Sequence, residues 1–267
     1  MFGRVGWHAL LLLCVSLPLL AAATPARADA DDAAKRAALL AAYPGLFAFD
    51  GNEAVFADGT RMIWDDGREK TPDELLTDPD LEDMFHYDYP LAAAGEVTPA
   101  KDSDPGRIRQ EAFFGKLYGA SSKEVQAQLA SLKWLPSLRG GTLQVTTRLD
   151  VAERLKAVSA EIEALPAPLH KYAVDPGGGF NWRRIAGTEQ LSVHSFGAAV
   201  DINTEYADYW RWAKAPEHGS IPFRNRIPLE IVAIFEKHGF IWGGRWYHYD
   251  TMHFEYRPEL ILLSRTQ

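Results

Sequence analysis

The pattern of apolar and polar positions changes along the chain. Between residues 46 and 67, short apolar runs are separated by three Asp-Gly pairs. Asp-Gly favours the tight turns that join antiparallel strands, so this segment predicts a small β-meander. From Val151 to Ile162, apolar residues recur at steps of four and three, which predicts a helix with one buried face that ends before Pro166.

Three further segments are predicted to be helices. Thr71-Pro-Asp-Glu74 and Ser121-Ser-Lys-Glu124 both resemble capping boxes, and the second helix is expected to run to about Lys133. Residues 228–238 form an amphipathic pattern that predicts a helix stopped by Gly239.

The remaining segments are less regular. Residues 141–147 alternate between apolar and polar, which predicts a strand. The acidic, alanine-rich residues 29–42 predict a frayed helix, and the proline-rich residues 90–106 predict a solvated loop. Asp102-Ser-Asp104 in that loop lacks the glutamate that an EF-hand calcium loop would place after it.

The N-terminus resembles a secretory signal. Arg4 provides a positive charge, an apolar run extends from Trp7 to Ala23, and Ala26-Arg-Ala28 resembles a cleavage site. The run is short for a membrane-spanning helix. We therefore expect residues 1–28 to be a signal peptide, with cleavage after Ala23 as the alternative. A periplasmic or secreted location without a stable membrane anchor follows from that expectation.

The composition narrows the possible chemistry. The only cysteine, Cys14, lies in the signal segment, so a metal site in the remaining chain must use histidine and carboxylate ligands. The net charge of −8 argues against binding to nucleic acid, which requires basic patches. An anionic substrate would therefore have to meet a local arginine.

Two short motifs carry candidate metal chemistry. Ser192–Asp201 contains His194 and Asp201, and Asp250–Glu255 contains His253. Two histidines and one carboxylate, with the fourth position left to water, form the ligand set of a catalytic zinc site. The additional carboxylate of Asp250 is then a candidate general base for that water.

The spacing within each motif places these side chains. Gly197 allows a turn that folds His194 back toward Asp201, which lies on one face of a strand. Asp250 and His253 have an odd spacing, so we expect Asp250 in a loop and a strand that begins near His253. Glu255 would then face the same way as His253 and could orient its imidazole.

Residues 183–203 and 246–255 resemble the two zinc motifs of the D-alanyl-D-alanine carboxypeptidase and L-alanyl-D-glutamate peptidase family. That family includes vancomycin-resistance D,D-carboxypeptidases and phage endolysins. The resemblance covers roughly Ser122 to Glu259. It implies one zinc ion per chain, held by His194, Asp201 and His253. Many relatives have glutamate at the base position, and the aspartate here slightly favours the endopeptidase-like branch.

The resemblance also implies residues that contact the substrate. Arg183 matches the arginine that binds a substrate carboxylate, with its neighbour Arg184 as the alternative, and guanidinium suits bidentate carboxylate contact. Ser192 is expected to contact the substrate or to hold its loop in place. His248 is interpreted as structural and is left out of the ligand set.

The resemblance implies a zinc-dependent peptidase that hydrolyses an amide bond in peptidoglycan stem peptides. The sequence leaves open a D-alanyl-D-alanine carboxypeptidase or an L-alanyl-D-glutamate endopeptidase. The alternative is a zinc-holding, peptidoglycan-binding module without turnover. A serine hydrolase that uses Ser195 or Ser192 is disfavoured because the chain has no Gly-x-Ser-x-Gly elbow.

The predicted architecture is α+β. A small central antiparallel sheet carries the zinc ligands, helices pack on one side, and the β-meander precedes them. Residues 29–120 are expected to form an N-terminal region packed on a zinc peptidase domain at residues 121–267. We expect a monomer.

Overall fold

A computed structural model describes residues 25–213 and 219–266. Nearly all of the predicted signal peptide lies outside the described residues. Within them, no helix is long and apolar enough to cross a membrane.

The predicted β-meander is confirmed. Strands β1 (Phe47–Asp50), β2 (Glu53–Phe56) and β3 (Arg61–Ile63) form an antiparallel sheet in that order. Two of the three Asp-Gly pairs lie in the turns between these strands, where Gly51 and Gly59 have positive φ angles of 57° and 82°, and the third pair, Asp66-Gly67, follows β3. Glycine adopts such angles at little cost, so the turn residues set the register of the sheet.

Three short helices follow the meander along the chain: α2 (Pro72–Thr77), α3 (Glu111–Tyr118) and α4 (Ser122–Gln126). The capping box at Thr71 is present in full. The expectation that the helix after Ser121 runs to about Lys133 is wrong, because α4 ends at Gln126.

The chain turns into a strand where the longer helix was expected. Strand β4 (Leu129–Lys133) pairs along its whole length with β5 (Thr142–Thr146), which confirms the strand predicted at residues 141–147. The Gln128 side chain donates to the carbonyl oxygen of Glu124, an acceptor that a longer α4 would have used within the helix. Pairing between strands therefore outweighs the helical propensity of this stretch.

A four-stranded antiparallel sheet forms the centre of the molecule. Its spatial order is β6 (Pro176–Gly178), β7 (Ala199–Asn203), β9 (His253–Tyr256) and β8 (Phe240–Trp242). The helices of this half are α5 (Val151–Glu163), α6 (Ala167–His170), α7 (Leu229–Lys237) and α8 (Pro258–Ser264).

The two faces of this sheet differ in character. On one face, Phe254 stacks on Phe235 of α7 with 3.8 Å between the ring centroids, and both rings are fully buried. Residues alternate along a strand, so the opposite face of β7 and β9 carries Asp201, His253 and Glu255. The predicted α+β architecture is confirmed, and the central sheet carries Asp201 and His253, whereas His194 lies in a turn before β7.

Helix α1 (Pro25–Ala42) is longer and better packed than the predicted frayed segment. Ala38, Leu39 and Ala42 are buried, because α1 packs against α8 at the other end of the chain. Tyr43, immediately after the helix, donates from its hydroxyl to the buried carboxylate of Glu259 at 2.7 Å. The division into regions 29–120 and 121–267 stays a prediction.

Candidate metal centre

His194 is positioned by a tight turn. Residues Val193–Phe196 form a single 3₁₀ turn, and Gly197 ends it with a φ of 66°. A side chain at Gly197 would place its Cβ 2.9 Å from the backbone nitrogen of Thr146, so the close approach of β5 also requires glycine. The turn predicted at Gly197 is present, and it directs His194 toward β7.

Asp201 and His253 face each other on neighbouring strands. They are direct partners in the antiparallel register of β7 and β9. Their side chains leave the same face of the sheet, and Asp201 Oδ1 lies 3.2 Å from His253 Nδ1. His194 Nε2 lies 3.2 Å from Asp201 Oδ1 and 3.1 Å from His253 Nδ1.

The outer hydrogen bonds fix which nitrogen of each ring is free. His194 Nδ1 lies 2.6 Å from the carbonyl oxygen of Gly179, which can only accept, so this nitrogen carries the hydrogen. His253 Nε2 donates in the same way to Glu255 Oε2 at 2.9 Å. When the rings are neutral, His194 Nε2 and His253 Nδ1 therefore present lone pairs to each other and to Asp201.

This triangle fits a divalent cation. Three lone-pair atoms at 3.1–3.2 Å repel one another unless positive charge lies between them. Ligands of a tetrahedral zinc ion at 2.0–2.1 Å would be about 3.3 Å apart. His194, Asp201 and His253 form a group whose ligand atoms could hold one metal ion.

The pKa values of these groups show how strongly the site favours positive charge. Burial lowers the pKa of His253, but hydrogen bonds to Asp201 and Glu255 outweigh it and raise that pKa to about 9. Burial would raise the pKa of Asp201, yet the charge and hydrogen bond of His194, together with those of His253, hold it well below its usual range. A site that retains a proton so firmly also provides a favourable potential for a metal cation.

Asp250 lies in the loop before β9, as its spacing predicts. Its backbone nitrogen donates to the carbonyl oxygen of Gly243, and its own carbonyl oxygen accepts from His253 N. Its Oδ1 atom is buried and has no hydrogen-bond partner. Burial raises the pKa of Asp250 to about 6, which brings this carboxyl close to the range of a general base at neutral pH.

The three candidate ligands and Asp250 line one cleft of about 310 Å³. Arg183 and Ser192 line it as well, whereas Arg184 lies outside it and pairs with Glu189 at 3.6 Å. Three arginines in the cleft form no salt bridge within the described part of the chain: Arg107, Arg183 and Arg211. The cleft therefore offers three arginines without a salt-bridge partner in a protein whose net charge is −8.

The sequence interpretation missed the segment at residues 103–109. The Asp104 carboxylate accepts from both the backbone nitrogen and Nδ1 of His248, so the expectation of a solvated loop is wrong here. Arg109 donates from Nη2 to Glu255 at 2.8 Å. These contacts join residues more than 140 positions apart, and no local spacing in the sequence could have revealed them.

The fold thus brings together three side chains that could hold one metal ion, with the carboxylate of Asp250 in the same cleft. Residues 186–256 match the model of a family described as D-alanyl-D-alanine carboxypeptidase. The match includes His194, Asp201, Asp250, His253 and Glu255, and it confirms the resemblance predicted from the sequence. Comparisons with curated proteins and with solved structures gave no match. The family match supports, in general terms, a metallopeptidase that acts on peptidoglycan.

Proposed function

We propose that this protein is a zinc-dependent peptidase that hydrolyses an amide bond in peptidoglycan stem peptides. The observation that carries the proposal is the convergence of three lone-pair atoms, from His194, Asp201 and His253, in a cleft that also contains Asp250, whose buried Oδ1 atom has no hydrogen-bond partner. The signal-like N-terminus supports a periplasmic or secreted location, where such substrates occur.

The residues of the chain divide the chemistry among them. A divalent cation, when bound by the triad, lowers the pKa of a bound water and polarises the scissile carbonyl. Asp250 accepts a proton from the attacking water. As the carbon–nitrogen bond breaks, Asp250 returns the proton to the departing amine, which balances the hydrolysis. Glu255 holds the His253 imidazole in the tautomer that presents Nδ1.

The arginines of the cleft suit a substrate with carboxylate groups. The backbone of Arg183 supports the loop that carries His194: its nitrogen donates to Ser195 Oγ, and its carbonyl oxygen accepts from Ser192 N. Its side chain is exposed at the rim of the cleft. A guanidinium there can hold a carboxylate with two parallel hydrogen bonds, which orients the peptide relative to the triad.

Replacing Arg183 by glutamine is expected to lower kcat/KM about 10- to 100-fold, mainly through a higher KM, because a charged hydrogen bond to substrate is lost. Arg184→Gln is the matched control and should keep parental kinetics, because Arg184 lies outside the cleft. Steady-state kinetics on a purified stem peptide measure both. Equal losses in the two variants would contradict a role for Arg183 in substrate binding.

The function itself is tested by incubating the protein with purified muropeptides, with and without a chelator, and identifying the products by mass. We expect cleavage that the chelator abolishes and that added zinc restores. Release of D-alanine would identify a carboxypeptidase, and a severed L-Ala–D-Glu bond would identify an endopeptidase. Intact muropeptides in every condition would contradict the proposal.

A non-catalytic module that holds zinc and binds peptidoglycan is the second candidate. Asp250 counts against it, because a site without turnover has no need of a buried carboxylate next to the metal-binding group. Binding of muropeptides without any cleavage would favour this candidate.

A further inference from the structure

We propose that residues 103–109, here called the strap, complete the metal centre, and that Arg109 is a positioning residue for the ligand His253. This inference rests on the proposed metal site. The strap precedes the segment that matches the carboxypeptidase model by more than 70 residues, so the family match does not assign it a role.

Arg109 contacts Glu255, the carboxylate that accepts a hydrogen bond from His253. Arg109 approaches the carboxylate with two nitrogens: Nη2 lies 2.8 Å from Oε2 and Nε lies 3.4 Å from Oε1. Oε2 is also the atom that accepts from His253 Nε2. Glu255 is fully buried. A two-point contact fixes the plane of the carboxylate, and that plane determines where the imidazole points.

A second arginine, Arg257, contacts the same carboxylate. Arg257 Nη1 lies 3.5 Å from Glu255 Oε1 and donates to the carbonyl oxygen of Gly106 in the strap at 2.6 Å. Arg257 Nε also donates to Glu259. Two buried arginines beside Glu255 offset the cost of burying its charge, so the carboxylate can stay ionised under the metal ligand.

The strap also holds the loop that carries Asp250. Tyr247 N donates to the carbonyl oxygen of Ser103 at 2.9 Å, and Trp246 Nε1 donates to that of Pro105 at 2.6 Å. The Asp104 carboxylate accepts twice from His248. The Trp246 ring in turn lies 5.4 Å from the ring of His253, measured between centroids.

Close packing leaves the strap little freedom to move. A Cβ atom on Gly106 would lie 2.3 Å from Ile241 Cδ1, and Gly106 has a φ of 94°. Ile108 is buried between its polar neighbours. The strap therefore links one metal ligand and the candidate base to a single rigid segment of the N-terminal region.

The test measures zinc affinity of the full-length protein by competition with a chromophoric chelator. Arg109→Met should weaken zinc binding about 10- to 100-fold, the usual cost of losing an outer partner of a metal ligand. Arg148→Met is the matched control, because it removes a partly buried arginine whose Nε donates to the carbonyl oxygen of Leu117 rather than to Glu255. It should keep parental zinc affinity.

Two further variants separate positioning from a general loss of stability. Arg109→Lys keeps the charge without the two-point contact, so its zinc affinity should fall between those of the parent and Arg109→Met. In the Glu255→Gln background, Arg109→Met should add little further loss, because the two residues act through one imidazole. The absorption spectrum of the cobalt-loaded protein reports the ligand geometry directly.

Parental zinc affinity in Arg109→Lys and Arg109→Met would overturn the proposal, as would fully additive losses in the double variant. If Arg109→Met does not fold, Arg109→Lys alone decides in the same way. A parent protein that binds no zinc would contradict the metal centre itself, whereas a parent that binds zinc with unaffected variants would contradict only the role of the strap.

Discussion

Replacing Asp250 by asparagine is expected to lower the rate of amide hydrolysis about 10²- to 10⁴-fold, the usual contribution of a general base. Asparagine has nearly the same shape but cannot accept the water proton. Because Asp250 is not among the three residues whose ligand atoms converge, the variant should still bind one zinc ion. Single-turnover kinetics together with metal content by mass spectrometry measure both effects.

Asp208→Asn is the matched control for this variant. This substitution removes the same charge from another loop. The Asp208 carboxylate pairs with Arg226 at 3.0 Å and lies outside the cleft. Its hydrolysis rate should stay close to that of the parent. An Asp250→Asn protein that retains both zinc and full activity would show that another group accepts the proton.

The His194→Ala variant is expected to lose both the metal and the activity. It leaves only Asp201 and His253 of the ligand group, so zinc affinity should fall by more than the about 10- to 100-fold that an outer partner costs. Isothermal titration with zinc measures the affinity. The muropeptide assay measures the activity.

His238→Gln provides the control for loss of a histidine. His238 lies 2.8 Å from Glu161, outside the cleft, and is not among the grouped ligand atoms, so its variant should keep parental zinc affinity. His194 is buried, so circular dichroism must show that the alanine variant is folded. A folded His194→Ala protein with parental zinc affinity would contradict the assignment of the ligands.

Local signals in the sequence predicted the elements that local chemistry determines. The Asp-Gly turns of the meander and the Thr71 capping box depend on neighbouring residues, and both are present. The helix after Ser121 was extended wrongly, because its real end depends on the pairing of β4 with β5. Such pairing depends on residues far away in the sequence, and spacing within one segment does not reveal it.

In the candidate site, too, the sequence predicted what neighbouring residues determine and missed what distant residues determine. The odd spacing between Asp250 and His253 predicted a loop followed by a strand, because side-chain direction alternates along β structure. Arg109 and Asp104 gave no such signal, since each acts through a partner that folding alone brings near. The proposal of Arg183 rather than Arg184 as the substrate-binding arginine likewise depends on the cleft, which Arg183 lines and Arg184 does not.

The central claim is that His194, Asp201 and His253 hold one divalent cation. A crystal of the zinc-loaded protein, measured on both sides of the zinc absorption edge, tests it most directly. We expect a single anomalous peak about 2.0–2.1 Å from His194 Nε2, His253 Nδ1 and an Asp201 oxygen, with one position open to the cleft. A map without a peak among these three side chains after soaking in zinc would contradict the account.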